Sequence, residues 1–302
     1  MTPDPVSSHP TASPSQEGAG QSGRGNPHRP RDVARALELS RDFVAAFGGY
    51  SVEIPGAYLV VNEKVPVPRF NYVQDVVQAP GRVLAFIEKA LEHYYQRALR
   101  PTIEVPRDVS QPALHRAIRA GGFTSRGASQ DRRLLIWEGF PPDSPPPPAA
   151  SPPRRVLPVA EDDLESFVDL WTPRRYRDEI LRYFDVILAH PNPSERLVPY
   201  EIREGERILG LAVFYENRGV RGLPVVATVP DARSRGLATM LVAEILRRET
   251  SEVSSPVSLW LEGPRTPGPL LRLGFQERAA YEVYALPEER PLEADLKIRD
   301  LG

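Results

Sequence analysis

The first half of the chain alternates between helical and extended patterns of apolar residues. From Asp32 to Phe47 the apolar residues recur with the spacing of one helix face, at positions 33, 36, 37, 39, 43, 44 and 47. The segments that follow it are predicted as strands at 50–54, 57–62, 70–77, 102–105 and 132–137 and as helices at 82–98 and 111–120.

The second half repeats this order of patterns. Its predicted strands are 155–159, 197–203, 207–215, 225–229, 257–261 and 281–286, and its predicted helices are 161–171, 176–189, 236–248 and 269–273. The strand at 225–229 is continuously apolar or β-branched, which is typical of a strand that is buried on both faces.

Pairs of landmark residues recur between the halves at nearly constant distances. The pairs, at offsets of 155, 155 and 152 residues, are Gly81 and Gly236, Pro101 and Pro256, and Phe123 and Phe275. Three such offsets indicate an internal duplication. The expected fold class is α/β (α+β), with two tandem domains that each contain a mixed central sheet flanked by helices.

The prolines divide this pattern into segments. Fifteen of the 34 prolines lie in residues 1–30 and 141–158. Residues 1–30 contain no apolar run and are predicted as a disordered tail. Residues 141–153 are predicted as a stiff proline-rich linker, which we favour over an SH3-type ligand. The expected organisation is a tail (1–30), a first domain (31–140), the linker (141–153), a second domain (154–290) and a C-terminal tail (291–302).

Charge and composition exclude several classes of function. The formal net charge is −2, which argues against a globally basic nucleic-acid binder. The chain has no cysteine, so thiolate nucleophiles and cysteine metal sites are impossible, and its few histidines are scattered, so no metal is expected. There is no secretory start and no apolar run long enough for a membrane span, so we expect a cytoplasmic protein without nucleic-acid or membrane partners. No feature indicates an oligomeric state.

The stretch from Val225 to Val242 carries the strongest functional signal. A buried strand leads through Pro230 into a basic loop around Gly236, and an amphipathic helix follows without a break. The first N–H groups of a helix lack intrahelical partners and favour anions, so such a loop is suited to a pyrophosphate. Arg233 and Arg235 add positive charge, and Gly236 allows a close approach of the backbone.

This stretch resembles the GNAT superfamily of acyl-CoA N-acyltransferases. The family signature is Arg or Gln, two residues, Gly, one residue, and Gly or Ala, which Arg233 to Ala238 match completely. A second signature, a short helix that ends in Gly-Phe, is met by Gly274-Phe275. The resemblance covers residues 154–290 and implies an acetyl-CoA site. The implied cofactor-binding residues are Val226, Ala227 and Thr228, through their backbone along the pantetheine arm, and Arg233, Ser234, Arg235, Gly236, Leu237, Ala238 and Thr239 around the pyrophosphate.

The catalytic half of the family pattern is altered. A tyrosine that often protonates the departing thiolate in the family is replaced by Leu270, and a frequent asparagine is replaced by Pro264. Glu262, as a base, and Tyr281 or Tyr284, as a hydroxyl donor, are substitute candidates. A solvated strand end and core tyrosines explain these three residues more simply.

The first domain resembles a degenerate copy of the same fold. At the offset of 155 residues, Gln78 and Gly81 keep the signature, whereas Pro80 lacks an N–H and Val83 places a branched side chain where Gly or Ala belongs. We therefore expect one cofactor site in each chain. Residues 62–72 are a candidate wall of the acceptor cleft, although a turn and an edge strand explain them equally well.

The resemblance implies an N-acetyltransferase that moves an acetyl group from acetyl-CoA to the primary amine of a small molecule or peptide by direct attack. The alternative is a non-catalytic acyl-CoA-binding or interaction protein, which Leu270 and Pro264 would suit. A third hypothesis treats the tail and linker as docking segments for partner domains. The sequence does not identify the acceptor.

Overall fold

The computed structural model describes residues 29–77, 83–108, 111–127, 131–141, 154–170, 172–189, 194–250, 255–263 and 268–287. The helices of these segments are α1 (Arg31–Ala46), α2 (Val83–Tyr95), α3 (Pro112–Ala120), α4 (Leu164–Asp169), α5 (Arg177–Ala189), α6 (Leu237–Glu249) and α7 (Gly268–Leu271). The strands are β1 (Tyr50–Ile54), β2 (Ala57–Val61), β3 (Tyr72–Gln74), β4 (Thr102–Pro106), β5 (Thr124–Ser125), β6 (Arg132–Trp137), β7 (Arg154–Pro158), β8 (Glu195–Glu204), β9 (Arg207–Asn217), β10 (Val220–Thr228), β11 (Val257–Glu262) and β12 (Phe275–Ala285).

Most of the predicted elements are confirmed within a few residues, and four differ. The predicted strand at 70–77 is a strand only in β3, and Phe70 ends a 3-10 turn that begins at Pro68. The predicted helix at 161–171 begins as a 3-10 turn at Glu161–Asp163 and is α-helical only in α4. Strand β10 begins five residues before its predicted start. The last strand, predicted at 281–286, is the eleven-residue β12. The predicted linker and both tails lie almost entirely outside the described residues.

The twelve strands form one continuous sheet. Its order is β1-β2-β3-β4-β12-β6-β11-β10-β9-β8-β7, and β5 pairs separately with β12. Neighbours pair antiparallel except for β3 with β4 and β10 with β11, which are parallel. These two parallel pairs occupy equivalent places in the two halves, as the duplication predicts.

The halves exchange their final strands. Strand β6, which ends the first half, pairs with β11 and β12 of the second half. Strand β12, which ends the second half, pairs with β4, β5 and β6 of the first half. The described residues of the two halves therefore form one connected sheet.

Helices cover both faces of this sheet. Helices α2 and α3 pack on the first half around Phe86, Leu114 and Phe123. Helix α6 packs on one face of the second half, whereas α1, from the first half, packs together with α4 and α5 on the other face. A Cβ on Gly222 of β10 would lie 2.7 Å from the Leu39 side chain of α1, so glycine permits this close approach between the halves.

The described chain begins inside the predicted tail. The side chain of Arg29 is 5% exposed and forms an ion pair with Asp75. Its Nη1 also donates a hydrogen bond of 2.9 Å to the Tyr281 hydroxyl. Arg29, which the sequence analysis assigned to the tail, is thus in contact with residues of both halves.

Candidate functional site

The loop before α6 has the geometry of an anion site. A 3-10 turn at Pro230–Ala232 leads to Ser234 and Gly236, which both have left-handed backbone, with φ of 65° and 74°. Gly236 is the N-cap of α6, and no side chain caps the helix. No atom lies within 4 Å of the place where a Cβ on Gly236 would stand. The uncapped start of α6 therefore lies beside open space at Gly236, and a helix start of this kind favours an anionic ligand.

Strands β10 and β11 separate beside this loop. They pair only over Arg221–Leu223 and Val257–Leu259, and the register of β10 shifts between Gly222 and Val225. Beyond that point β10 pairs with β9 alone, and no described strand lies along its other edge. A gap thus opens between β10 and β11 next to the loop.

The alternation of hydrogen-bonded and non-hydrogen-bonded pairs between β9 and β10 shows which backbone groups of β10 face the gap. The Val229 N–H donates to the Leu209 carbonyl at 3.0 Å, which makes this pair a hydrogen-bonded one. Hydrogen-bonded pairs alternate along an antiparallel ladder, so Val226 and Thr228 direct their N–H and C=O groups away from β9. Ala227 directs its groups toward β9. Of the three predicted pantetheine contacts, Val226 and Thr228 thus have backbone groups aimed into the gap.

The two predicted arginines of the loop differ in their surroundings. Arg235 forms a 3.0 Å ion pair with Glu204, and Arg154 contacts the same carboxylate at 3.0 Å. Hydrogen bonds from Arg154 and Arg235 hold the pKa of Glu204 below its ordinary value. Arg233 is exposed and has no ion-pair partner among the described residues. Arg233 is therefore the loop cation that is available to a ligand.

A cleft of about 660 Å³ lies at the open end of the gap and contains Arg233 in its wall. The second half also contributes Thr172 and Pro173 after α4, Glu262 and Gly263 at the end of β11, and Val283 of β12. The walls from the first half are formed by Val67, Pro68, Arg69, Phe70, Thr102, Glu104, Arg126 and Arg132. Part of the predicted 62–72 wall therefore does line this cleft.

The charged groups of the cleft form two ion pairs. Arg69 Nη2 lies 3.5 Å from Glu262 Oε1, and both side chains are partly exposed. The Arg69 guanidinium lowers the pKa of the Glu262 carboxyl below its ordinary value, so the carboxylate is ionised at neutral pH. Arg132 pairs with Glu104, whose side chain is 1% exposed, and lies 4.4 Å from the ring centre of Trp260.

The two tyrosine candidates lie outside this cleft. Tyr281 is fully buried beside Trp260, and its hydroxyl accepts the hydrogen bond from Arg29. The Tyr284 hydroxyl lies 2.7 Å from His115 Nδ1, in the core under α3. Burial raises the pKa of Tyr281, and it raises the pKa of Tyr284 to about 12. Of the three catalytic candidates, the structure brings only Glu262 into the cleft.

The structure also describes two of the positions at which this chain departs from the family pattern. Leu270 is buried in the core formed with α6 and β11. Val83 is buried in the core of the first half. Pro264, Gln78, Pro80 and Gly81 lie outside the described residues.

Five residues of the cleft carry polar groups that sequence reasoning did not single out, and two of them are Thr102 of β4 and Arg132 of β6. Arg126 follows the short β5, Thr172 follows α4, and Glu104 lies inside β4. None belongs to a motif. Glu104 gave a usable signal, since a carboxylate in the middle of an apolar strand is costly unless it is paired or functional.

Two general features of the described residues complete the site. They contain no group of three or more histidine, aspartate or glutamate side chains that could hold a metal ion. No helix in the same part of the chain is long and apolar enough to cross a membrane.

The model of the Acetyltransferase (GNAT) family matches residues 157–259, which extend from β7 into β11 and include the loop. No curated protein matches the chain at a significant level. A GCN5-related N-acetyltransferase from Kribbella flavida is similar in structure, with a TM-score of 0.57 and 17% identity over 84% of this chain and 95% of that one.

Two further solved structures have the same architecture. A GCN5-related N-acetyltransferase from Sphaerobacter thermophilus has a TM-score of 0.56 and 16% identity, and the match covers 78% of each chain. A tandem GNAT protein from the clavulanic acid biosynthesis pathway has a TM-score of 0.50 and 16% identity over 76% of this chain and 77% of that one. At these identities the likeness concerns the fold.

Proposed function

Because the second half of the chain carries a domain of the GNAT acetyltransferase family, we propose that the protein transfers an acetyl group from acetyl-CoA to a primary amine. The observation that carries the proposal is the uncapped start of α6, with the left-handed Gly236, beside the gap between β10 and β11. An acyltransferase needs both features, one for the phosphates and one for the extended pantetheine arm.

The proposal assigns a role to each part of the loop and strand. Backbone N–H groups from Ser234 to Thr239 bind the pyrophosphate, and Arg233 adds an unpaired positive charge. The free edge at Val226 and Thr228 pairs with the amide groups of the pantetheine arm. This arrangement directs the thioester toward the cleft that contains Glu262.

The chemistry proposed for the cleft is direct attack. The amine nitrogen forms a bond to the acetyl carbon, the carbon–sulfur bond breaks, and the amine proton leaves by way of Glu262 or solvent. Positioning the amine beside the thioester supplies much of the rate enhancement, so no protein nucleophile is required. Leu270 has no proton to donate, so the departing thiolate takes its proton from water. A cytoplasmic location and a single cofactor site are part of the same proposal.

A non-catalytic acyl-CoA-binding protein is the second candidate. The observation that favours it is the apolar, buried Leu270 at the position where the family often has a tyrosine. Both candidates predict that CoA raises the melting temperature of the full-length protein, because a ligand of the folded state stabilises it. Release of free CoA thiol from acetyl-CoA in the presence of a panel of amines separates the two. If CoA at millimolar concentration leaves the melting temperature unchanged, both candidates are wrong.

A further inference from the structure

We propose that the acetyl acceptor carries a carboxylate next to its amine, as an α-amino acid does, and that Arg69 and Arg126 bind this carboxylate. The inference rests on the proposed acetyltransferase function and names the substrate class of that site. Both arginines belong to the first half of the chain, which would make the degenerate repeat the acceptor-binding part of the protein.

The charges of the cleft favour an acceptor with an anionic group. Four arginines line the cleft, against two glutamates. Arg132 is neutralised by Glu104 inside the protein. Arg233 projects from the cofactor loop and is assigned to the phosphates. Arg126 remains for the acceptor, because it has no ion-pair partner among the described residues. Arg69 also contacts Glu262, but this pair is 3.5 Å long and both side chains are partly exposed, so an incoming carboxylate can share the Arg69 guanidinium.

Buried polar atoms in the same cleft lack partners. Glu104 Oε2, Arg132 Nε and Thr172 Oγ1 are buried, and none has a hydrogen-bond partner in the described structure. Glu104 is 1% exposed and Thr172 is 6% exposed. Native proteins rarely leave buried polar atoms unsatisfied, so a polar ligand in this cleft would gain three ready hydrogen-bond partners. Glu104 Oε2 can accept a hydrogen bond and Arg132 Nε donates one, so a matching ligand offers both a donor and an acceptor, as a zwitterion does.

The spacing of the charges selects the kind of acceptor. Arg69 and Glu262 lie 3.5 Å apart, so the binding places for an anion and a cation are adjacent. An α-amino acid has its carboxylate and amine on one carbon and fits such a pair. A polyamine would bring a second positive charge toward Arg69 and Arg126, which repel it.

The position of Glu262 connects this recognition to the chemistry. Glu262 ends β11 on the side where β10 diverges, so an amine beside it faces the edge at Val226 and Thr228. The carboxylate would then point away from the thioester, toward the arginines of the first half. The same acceptor orientation serves binding and attack.

The test compares matched acceptors on the full-length protein. Thiol release from acetyl-CoA is measured with the standard free amino acids, with their C-terminal amides, and with putrescine and spermidine. We expect that the best acceptor is a free amino acid and that its amide is at least tenfold poorer in kcat/KM, since a charged hydrogen bond is lost. An amide or polyamine that is as good as the acid overturns the inference.

A variant pair tests the arginines themselves. Arg126→Gln is expected to raise the KM of the free acid about tenfold, to leave the KM of acetyl-CoA unchanged, and to reduce the preference for acid over amide. Arg116→Gln, on the exposed side of α3, is the matched control and should change none of these values. An unchanged preference in Arg126→Gln contradicts the inference. If CoA stabilises the protein but no carboxylate-bearing amine is acetylated, the inference fails while CoA binding stands; if CoA does not bind, the proposed function itself fails.

Discussion

Replacing Gly236 with alanine is expected to weaken CoA binding about 100-fold while leaving the fold intact. Gly236 has φ of 74°, so alanine there costs about 1–2 kcal/mol of stability. No atom lies within 4 Å of the new Cβ, so the protein itself offers no steric clash. The methyl group instead occupies the space beside the α6 N–H groups that the proposal assigns to the pyrophosphate.

The magnitude of the binding loss follows from the hydrogen bonds involved. Each hydrogen bond to a charged phosphate contributes about 1.5–3 kcal/mol, so the loss of one or two weakens binding roughly 100-fold. At a CoA concentration of about 100 times Kd, the ligand stabilises the wild-type protein by about 2.7 kcal/mol, whereas the variant would gain about 0.4 kcal/mol. For a folded unit of this size these values correspond to about 5–10 °C and about 1 °C in Tm.

Gly219→Ala provides the matched control. Gly219 lies in the β9–β10 turn with φ of 73° and also has no atom within 4 Å of its Cβ position. The two variants should therefore lose similar stability without ligand, and only Gly236→Ala should lose the Tm increase caused by CoA. Thermal unfolding of both variants, with and without CoA, is the assay. An undiminished Tm increase in Gly236→Ala would refute the assignment of the loop.

Three further predictions address charge, folding and pH. Arg233→Gln should raise the KM of acetyl-CoA several-fold at low salt and less at high salt, because this exposed charge is screened; an unchanged KM contradicts its role. Leu134→Ala, in β6, should cost about 2–5 kcal/mol and still give one urea transition by tryptophan fluorescence and circular dichroism; separate transitions would mean that the halves unfold independently. Burial raises the pKa of Tyr72 to about 12. An unfolded tyrosine has a pKa of about 10, so the contribution of Tyr72 to stability is complete below pH 10 and is lost as the pH rises through the folded pKa. Between pH 10 and 11 the free energy of unfolding of the wild type, measured by urea titration, should therefore fall by about 1 kcal/mol more than that of Tyr72→Phe. Equal decreases in the two proteins would contradict the raised pKa.

The sequence predicted those features that depend on local pattern. The helix at α1, the strand β6 and the loop before α6 follow from apolar periodicity and from the position of Gly236, and the structure has all three. The 155-residue offset between Gly81 and Gly236 predicted a duplicated fold, and the two parallel strand pairs agree with it. The roles of the loop residues in binding remain predictions.

The sequence could not predict the exchange of β6 and β12, because an apolar strand can pair equally well with a strand of its own repeat or with a strand of the other repeat. The extra length of β12 is part of this exchange, since its first residues pair with β6 and its last with β4. The cleft that contains Glu262 could not be predicted for the same reason. Arg69, Arg126 and Glu262 are distant in sequence and meet only when the strands of the two halves interleave.

The strand exchange also sets the order in which the chain can fold during synthesis. Thr102 of β4 pairs with Ala285 of β12, a residue made 183 positions later. At about 5–20 residues per second, a ribosome needs roughly 10–40 s to reach β12 after β4 has been made. Throughout that time β4 presents an open edge, and β6 lacks both of its neighbours from its own synthesis until β11 is made. The first half thus cannot complete its strand pairing before the second half has been made. During this interval chaperones or neighbouring chains have access to its unpaired strands.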